Sequence, residues 1–197
     1  MIRSELYRNN NILEKTVEIV EALDAVPERE LREFLSSKYG QKHPETVIMA
    51  LHTQGLLYND YKTKCVLSRV GSKQTMFSNV AFEIFYKLVQ SEKDGIDKAK
   101  YPIDLQMYVQ DKIYHLINLE ENGLAKLKYR YCLPQEISEA SEVIPVLVSM
   151  SDHQKNLSML RENPGIVPVQ SYIFAKAVFE KGSFQLYLSR HEGGSIL

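Results

Sequence analysis

The stretch QKHPETVIMALHTQGLLYND, residues 41–60, changes its hydrophobic spacing half-way along, and this change decides the interpretation of the first half of the chain. Pro44 is typical of the first position of a helix, and Gly55 is typical of the residue after one. Between them, apolar side chains recur at helical spacing: Val47, Ile48 and Leu51. The stretch therefore predicts a helix that stops at a glycine and leads into a strand beginning near residue 56.

Two further helices are predicted before this one. A stripe of apolar residues at helical spacing predicts a helix over residues 11–23, with Asn10 or Asn11 as its N-terminal cap. Pro27 and Gly40 mark the beginning and the end of a second helix. The chain thus starts with three short helices in succession.

A β-hairpin is predicted after the third helix, because the polar segment 59–64 separates two strand-like runs, 56–58 and 65–68. Three helices followed by a hairpin resemble a winged helix-turn-helix domain. The phrase HTQGLLYND resembles the end of the third helix and the start of the wing in that family. The resemblance covers roughly residues 11–70. It implies that residues 1–73 form a winged helix domain whose third helix and wing contact double-stranded DNA.

The charge of the chain is distributed unevenly. The 197 residues carry a net charge of -1 and the pI is about 6.5, so the overall balance does not indicate nucleic acid or membrane binding. Residues 38–73, however, contain six cations against two anions, Glu45 and Asp60, and therefore carry a charge of +4. A local excess of this kind is what phosphate binding requires. The alternative interpretation is an ordinary solvated surface of lysines.

The predicted DNA contacts combine these cations with one face of the third helix. The residues are Lys42, Thr46, Met49, Thr53, Lys62, Lys64, Arg69 and Lys73. The third helix has no arginine for bidentate contact with guanine, so contact with the DNA backbone is predicted more strongly than recognition of a sequence. Because many winged helices bind proteins, docking to a protein partner is the alternative.

The remaining residues predict a connecting helix and a second domain. Residues 74–91 have apolar side chains at helical spacing, and residues 74–98 are predicted to link two domains. From residue 99 the pattern alternates, with strands predicted over 103–109 and 113–119 and a helix capped by Ser151-Asp152. Residues 99–197 are therefore expected to form a mixed α/β sheet domain, and the whole chain to be of the α+β class.

Residues 101–123, YPIDLQMYVQDKIYHLINLEENG, resemble the core of a PD-(D/E)xK nuclease-like domain. A winged helix followed by such a domain resembles the replication-relaxation proteins of bacterial mobile elements. In the family pattern two carboxylates hold a divalent metal ion and a lysine stabilises developing charge. Asp104 corresponds to the first carboxylate, but Asn118 and Glu120 occupy the acid and lysine positions. The resemblance therefore implies the fold without catalytic or metal-binding residues, and Asp104 is interpreted as an exposed polar residue on a strand.

Other patterns indicate no further site. His43 and His52 would lie on opposite faces of a helix and cannot share a metal ion. The serines near residue 150, together with Asp152, are interpreted as a helix cap rather than a catalytic triad. The alternation in KLKYRYC, residues 126–132, is interpreted as an exposed strand, with a surface for single-stranded nucleic acid or a partner protein as alternatives. No phosphate-binding glycine loop occurs, so no cofactor is predicted.

The predicted location is the cytoplasm. Two cysteines without metal-ligand spacing are typical of a reducing compartment, and no segment is apolar enough for a membrane span. The predicted function is DNA binding by a non-enzymatic accessory or regulatory protein of replication, transfer or transcription in a bacterial mobile element. The alternatives are a metal-dependent nuclease and a protein-interaction module that does not bind DNA.

Overall fold

A computed structural model describes the following residues: 2–120, 122–130, 142–163, 171–180 and 183–192. These residues form six helices and two β-sheets, which confirms the predicted mixture of helices and sheets. The chain divides into two compact units, Met1–Lys98 and Ala99–Leu197. Within the described residues, no helix is both long and apolar enough to cross a bilayer.

The first unit contains four helices and four short strands. In chain order they are α1 (Ile2–Leu23), β1 (Ala25–Pro27), α2 (Glu28–Tyr39), α3 (Pro44–Thr53), β2 (Tyr58–Asp60), β3 (Cys65–Leu67), α4 (Met76–Leu88) and β4 (Gly95–Lys98). The first three strands form an antiparallel sheet in the order β1-β3-β2. Leu67 of β3 lies opposite Ala25 on one side and Tyr58 on the other. The middle strand is thus the last of the three in the chain.

Helix α1 is longer than predicted, and the predicted cap is wrong. The helix begins at Ile2, so that Asn10 and Asn11 lie in its interior rather than at its start. Asparagine costs less than about 1 kcal/mol in a helix interior, which tertiary packing outweighs. That packing comes from the C-terminal half of the helix, where Ile12 and Val20 are completely buried.

Strand β1 was not predicted. Its three residues are too few to show a period, yet Val26 is completely buried in the sheet. Pro27 has an extended backbone and caps α2 rather than starting it, while the amide of Glu28 donates to the carbonyl of Lys64. The other end of α2 is as predicted. Gly40 adopts a left-handed conformation there and donates its amide to the carbonyl of Leu35.

The hairpin exists, but its first strand begins two residues later than predicted. Leu56 and Leu57 are not in the strand, because their amides donate to the carbonyl of Leu51 and finish the end of α3. The turn that follows is shaped by Asp60, whose carboxylate accepts the amide of Lys62 and the hydroxyl of Thr63. Strand pairing therefore extends into the segment predicted to be only a turn.

Helix α4, predicted as part of a linking segment, lies inside the first unit. Its Phe82 and Phe85 rings each lie 5.6 Å from the ring of Phe34 on α2, and all three side chains are buried. The polar segment after it, SEKDGIDKAK, which the sequence predicts to be the end of the linking segment, contains β4, in which Ile96 is buried. The structure therefore places α4 and β4 in the first unit, with the buried face of α4 in its core.

The second unit contains two helices and five strands among its described residues. They are β5 (Leu105–Val109), β6 (Lys112–Asn118), α5 (Gly123–Arg130), β7 (Glu142–Ser149), α6 (His153–Glu162), β8 (Ser171–Glu180) and β9 (Ser183–Glu192). Each of these strands lies beside the next one in the chain. The pairs β6–β7 and β7–β8 are parallel, and the pairs β5–β6 and β8–β9 are antiparallel.

Both helices of this unit cover the same face of the sheet. Each connects two parallel neighbours, and right-handed connections that advance in one direction place their helices on one side. One apolar cluster joins the helices to this face: Ile117, Leu119, Leu127, Leu147, Leu160 and Phe174. The mixed sheet with covering helices is thus present, and the ends of the parallel strands β6 and β7 lie close to the start of α6.

One element of the second unit contradicts the prediction. Residues 126–130, predicted to belong to an exposed strand, lie in α5, because Leu124 and Leu127 are three residues apart and both pack on the sheet. The rest of the predicted strand, Tyr131 and Cys132, lies outside the described residues. The sequence also predicts a hairpin turn at Glu180-Lys181-Gly182 and a break at Gly165; of these residues, Lys181, Gly182 and Gly165 lie outside the described residues.

Candidate nucleic-acid interface

Helix α3 has one buried and one exposed face. Ile48 and Leu51 point into the core, whereas Thr46, Met49 and Thr53 lie on the exposed side, with 64% of Met49 accessible. The threonine hydroxyls donate to carbonyls of their own chain segment, that of Thr53 to Met49 at 2.9 Å. Each threonine therefore offers a methyl group and acceptor lone pairs outward, groups that suit contact with base edges and the thymine methyl.

Five exposed cations lie in the segments next to α3 in the chain and in the hairpin that follows it. Lys42 precedes α3, Lys62 and Lys64 lie in the β2–β3 turn, and Arg69 and Lys73 follow β3. In the part of the chain that the structure describes, none of the five forms an ion pair. Other cations of the unit do, as in the pairs Lys15–Glu18, Lys87–Glu83 and Lys98–Asp24. All eight predicted contact residues are exposed, and the charges of the five cations are available to an external anion.

The turn between β2 and β3 presents an aromatic ring that the sequence interpretation overlooked. Tyr61 is 81% exposed and stands next to Lys62. The hydroxyl of Thr63 and the amide of Lys62 hold the pKa of Asp60 below its ordinary value. Because these donors engage the carboxylate within the turn, the tip presents a tyrosine and two lysines outward. The signal was available in the sequence as a tyrosine in a lysine-rich polar turn.

A shallow cavity of about 430 Å³ lies between the end of α3 and the segment after β3. His52 and Lys73 line it together with Asn59, whose side-chain oxygen is buried. Among the described residues this oxygen has no hydrogen-bond partner. The cavity thus has a cationic side chain, Lys73, beside a buried amide oxygen that is unpaired within the described part of the chain, which the sequence alone did not indicate.

In the second unit, Asp104 is not the exposed polar residue that was predicted. Its carboxylate accepts the amide of Asn118 at 2.7 Å and both of its oxygens bind the ammonium of Lys126, at 2.7 and 2.9 Å. The side chain of Lys126 is only 6% exposed, and that of Asp104 25%. The structure thus brings together Asp104, the backbone amide of Asn118 and Lys126 of α5.

Glu120, which the resemblance would align with a lysine, accepts hydrogen bonds from a different group of residues. Its carboxylate accepts the amides of Met150 and Ser151 at 2.8 and 3.1 Å, the Ser151 hydroxyl, and Asn156 at 3.3 Å. Burial favours the neutral acid, but these hydrogen bonds outweigh it and lower the pKa of Glu120. The carboxylate therefore occupies the positive N-terminal end of α6. The described residues contain no group of three or more His, Cys, Asp or Glu side chains placed to hold a metal ion.

The serine and histidine beside this carboxylate form a structural network. The Ser149 hydroxyl lies 3.0 Å from Nδ1 of His153 and accepts a hydrogen bond from Asn156 at 2.9 Å. Ser149 is completely buried, so its hydroxyl is closed to a substrate. The predicted cap residue of α6 is correct, but the predicted side-chain hydrogen bond is not formed. Asp152 is the cap residue but makes no side-chain cap bond, and Glu120 supplies the anion instead.

Comparisons of the chain with protein-family models, with curated proteins and with solved structures found no match. The functional interpretation therefore depends on the residues and geometry of this chain.

Proposed function

We propose that the first unit is a winged helix-turn-helix and binds double-stranded DNA through α3 and the β2–β3 hairpin. The observation that carries the proposal is a set of five exposed cations before α3, in the β2–β3 turn and after β3, none of which forms an ion pair with the described residues. The protein would be a non-enzymatic accessory or regulatory factor of replication, transfer or transcription in a bacterial mobile element.

The order of elements supports this proposal. A helix, a short strand, two helices joined by a short turn and a hairpin follow one another, with the sheet ordered β1-β3-β2. This order resembles that of a winged helix, in which the helix before the hairpin would enter the major groove. Pro44 begins α3 and Gly55 follows its last turn. A winged helix requires a turn at both of these places.

The chemistry of the surface favours phosphate contact over base recognition. Each neutralised phosphate contributes about -0.9 to the slope of log affinity against log salt concentration, so five cations predict a slope near -4 to -5. Discrimination between bases would depend on Thr46, Met49 and Thr53, none of which makes a bidentate contact with guanine. We therefore expect appreciable affinity for any duplex and a modest preference among sequences.

The test is fluorescence anisotropy of a labelled random duplex, measured between about 50 and 200 mM salt, where affinity for a protein with several phosphate contacts falls steeply. The variant Lys42→Ala/Lys64→Ala removes two cations from the proposed surface. A matched control, Lys155→Ala/Arg161→Ala, removes two exposed cations from α6 in the second unit. The first variant should bind more weakly with a salt slope about 1.8 units shallower, and the control should match the wild type.

Two results would count against the proposal. Anisotropy that stays flat at every salt concentration would remove DNA binding in general and leave docking to a protein partner. Equal losses in the two variants would show that affinity follows the net charge of the chain and not the surface around α3.

The nuclease alternative depends on Asp104 and is tested separately. Both oxygens of this carboxylate are engaged by Lys126 and the Asn118 amide, and the position of a second acid is an amide side chain. We expect no nicking of supercoiled plasmid with magnesium or manganese. Nicking by the wild type that is lost in Asp104→Asn, with the folded structure retained by circular dichroism, would assign a nuclease activity to this unit.

A further inference from the structure

The outer edge of β9 is long, regular and unprotected. Ten consecutive residue pairs join β9 to β8, from Ser171–Glu192 to Glu180–Ser183, without a bulge. Among the strands that the structure describes, none pairs with the other edge of β9. A row of backbone donors and acceptors is therefore presented along this edge.

The composition of β9 does not discourage pairing. Natural proteins protect edge strands with lysines, prolines, bulges or short length. The central residues 184–189, FQLYLS, contain no charge, proline or glycine, and two large side chains are exposed, Tyr187 at 53% and Leu188 at 38%. An edge of this kind forms a β-sheet with whatever compatible strand is present.

Cross-strand contacts hold this edge in a defined conformation. The rings of Tyr172 and His191 stack at 5.4 Å near one end, and those of Phe179 and Phe184 lie 5.3 Å apart near the other. Arg190 donates to the hydroxyl of Ser171 at 2.8 Å. Because the strand is ordered before it pairs, little conformational entropy is lost on association.

We propose that β9 pairs antiparallel with β9 of a second copy of this chain, about a two-fold axis that sets Tyr187 opposite its own copy. In this register Leu186 lies opposite Leu188 on one face, which buries apolar side chains, and Gln185 lies opposite Ser189 on the other, which allows hydrogen bonds. Arg190 lies opposite Phe184, and no like charges face each other.

The second copy is the occupant that the strand itself specifies. An antiparallel edge placed on its own copy satisfies its backbone groups in both directions, and a two-fold contact uses the same residues twice. The apolar, polar and aromatic pairs all arise from one register of one sequence. Tyr187 and Leu188, the most exposed large side chains of the strand, then lie at the centre of the contact.

The test is the mass of the protein in solution, measured by sedimentation equilibrium over about a hundredfold range of protein concentration. The chain has a mass of 22.7 kDa. We expect the wild type and Tyr187→Phe to reach twice that mass. Tyr187→Lys should stay at the monomer mass, because two lysines would lie directly opposite each other. The control Tyr108→Lys makes the same change at an exposed tyrosine of β5 and should still dimerise.

A wild type that stays monomeric throughout, or a Tyr187→Lys variant that dimerises as well as the control, would overturn the proposal. If Tyr187→Lys does not fold, the variant Tyr187→Cys tests the same contact by cross-linking. Its cysteines would face each other, so mild oxidation should give a disulfide-linked dimer that neither Tyr108→Cys nor the wild type gives. Absence of that cross-link would overturn the proposal as well.

Discussion

Lys126 extends from α5 to Asp104, the residue before β5, and its ammonium binds both oxygens of that carboxylate. The two residues are 22 positions apart in the chain. Their ion pair connects the start of β5 to α5, the helix that follows β6. Both charges are largely withdrawn from water, so each depends on the other for its solvation. The amide of Asn118 completes the site and fixes the end of β6 beside it.

Loss of Lys126 should therefore destabilise the protein strongly. Lys126→Met leaves the Asp104 carboxylate without its cation, and we expect the free energy of unfolding in urea to fall by about 3 kcal/mol, the lower end for a broken buried pair, since Asp104 remains partly exposed. The control Lys112→Met removes an exposed pair with Glu142 and should cost little. Equal effects of the two variants would show that the Asp104 pair contributes no more than a surface contact.

Glu120 should make stability depend on pH. Its pKa is lowered in the folded protein, so its contribution is complete above the ordinary carboxyl pKa of 4.5 and is lost as the pH falls through the lower folded-state value. Glu120→Gln should lose about 1–2 kcal/mol at pH 7, an amount reduced by solvent at this partly exposed site. The difference from the wild type should shrink in acid, as measured by urea unfolding at several pH values. A difference that is constant with pH would contradict this assignment.

His153 should titrate below the ordinary histidine pKa of 6.5, because burial and the charge of Lys176 both disfavour its protonated form. Stability linked to His153 is thus lost as the pH falls below about 6.5, where the unfolded chain binds the proton more readily. Two-dimensional NMR of the imidazole would give the midpoint directly. Lys176→Met should move the midpoint upward, and an unchanged midpoint would exclude Lys176 as a cause.

Helix α4 should behave as part of the core of the first unit. Phe85 is completely buried and its ring stacks on that of Phe34, so Phe85→Ala should lower the free energy of unfolding by about 3–5 kcal/mol. Met76→Ala, at the start of the same helix, removes a side chain that is 53% exposed and should change stability by less than about 0.5 kcal/mol. Similar small effects at both positions would be the behaviour of a connecting helix.

The sequence predicted elements whose ends are fixed locally. The ends of α2 and α3 were recognised because proline fixes its own φ at a helix start and glycine adopts the left-handed conformation after a helix without strain. The hairpin followed from a polar turn between apolar runs. Strand β1 was not predicted because three residues are too few to show the alternation of a strand. Helix α5 was predicted to be a strand because a short alternation of charged and apolar residues is compatible with both the period of a strand and that of a helix.

In the candidate sites too, features set by neighbours close in the chain were open to prediction, and contacts between distant residues were not. The exposure of Met49 depends mainly on neighbours close in the chain, so helical spacing was sufficient to predict it, whereas the exposed ring of Tyr61 was not predicted although its polar turn indicates it. The partner of Asp104 could not be predicted, because Lys126 reaches it only through the packing of α5 on the sheet. The donors to Glu120 lie 30 or more residues away, and only strand order brings them to it.

The strand order of the second unit also bears on how the two units acquire their structure during synthesis. From β5 to β9 every strand pairs with the one made just before it, so each newly emerged segment finds its neighbour already available, and loop closure stays short. The first unit differs, because β1 pairs with β3 and must wait for two helices and β2 to leave the ribosome. Although it is translated first, its small sheet can be completed only after residue 67 has been made.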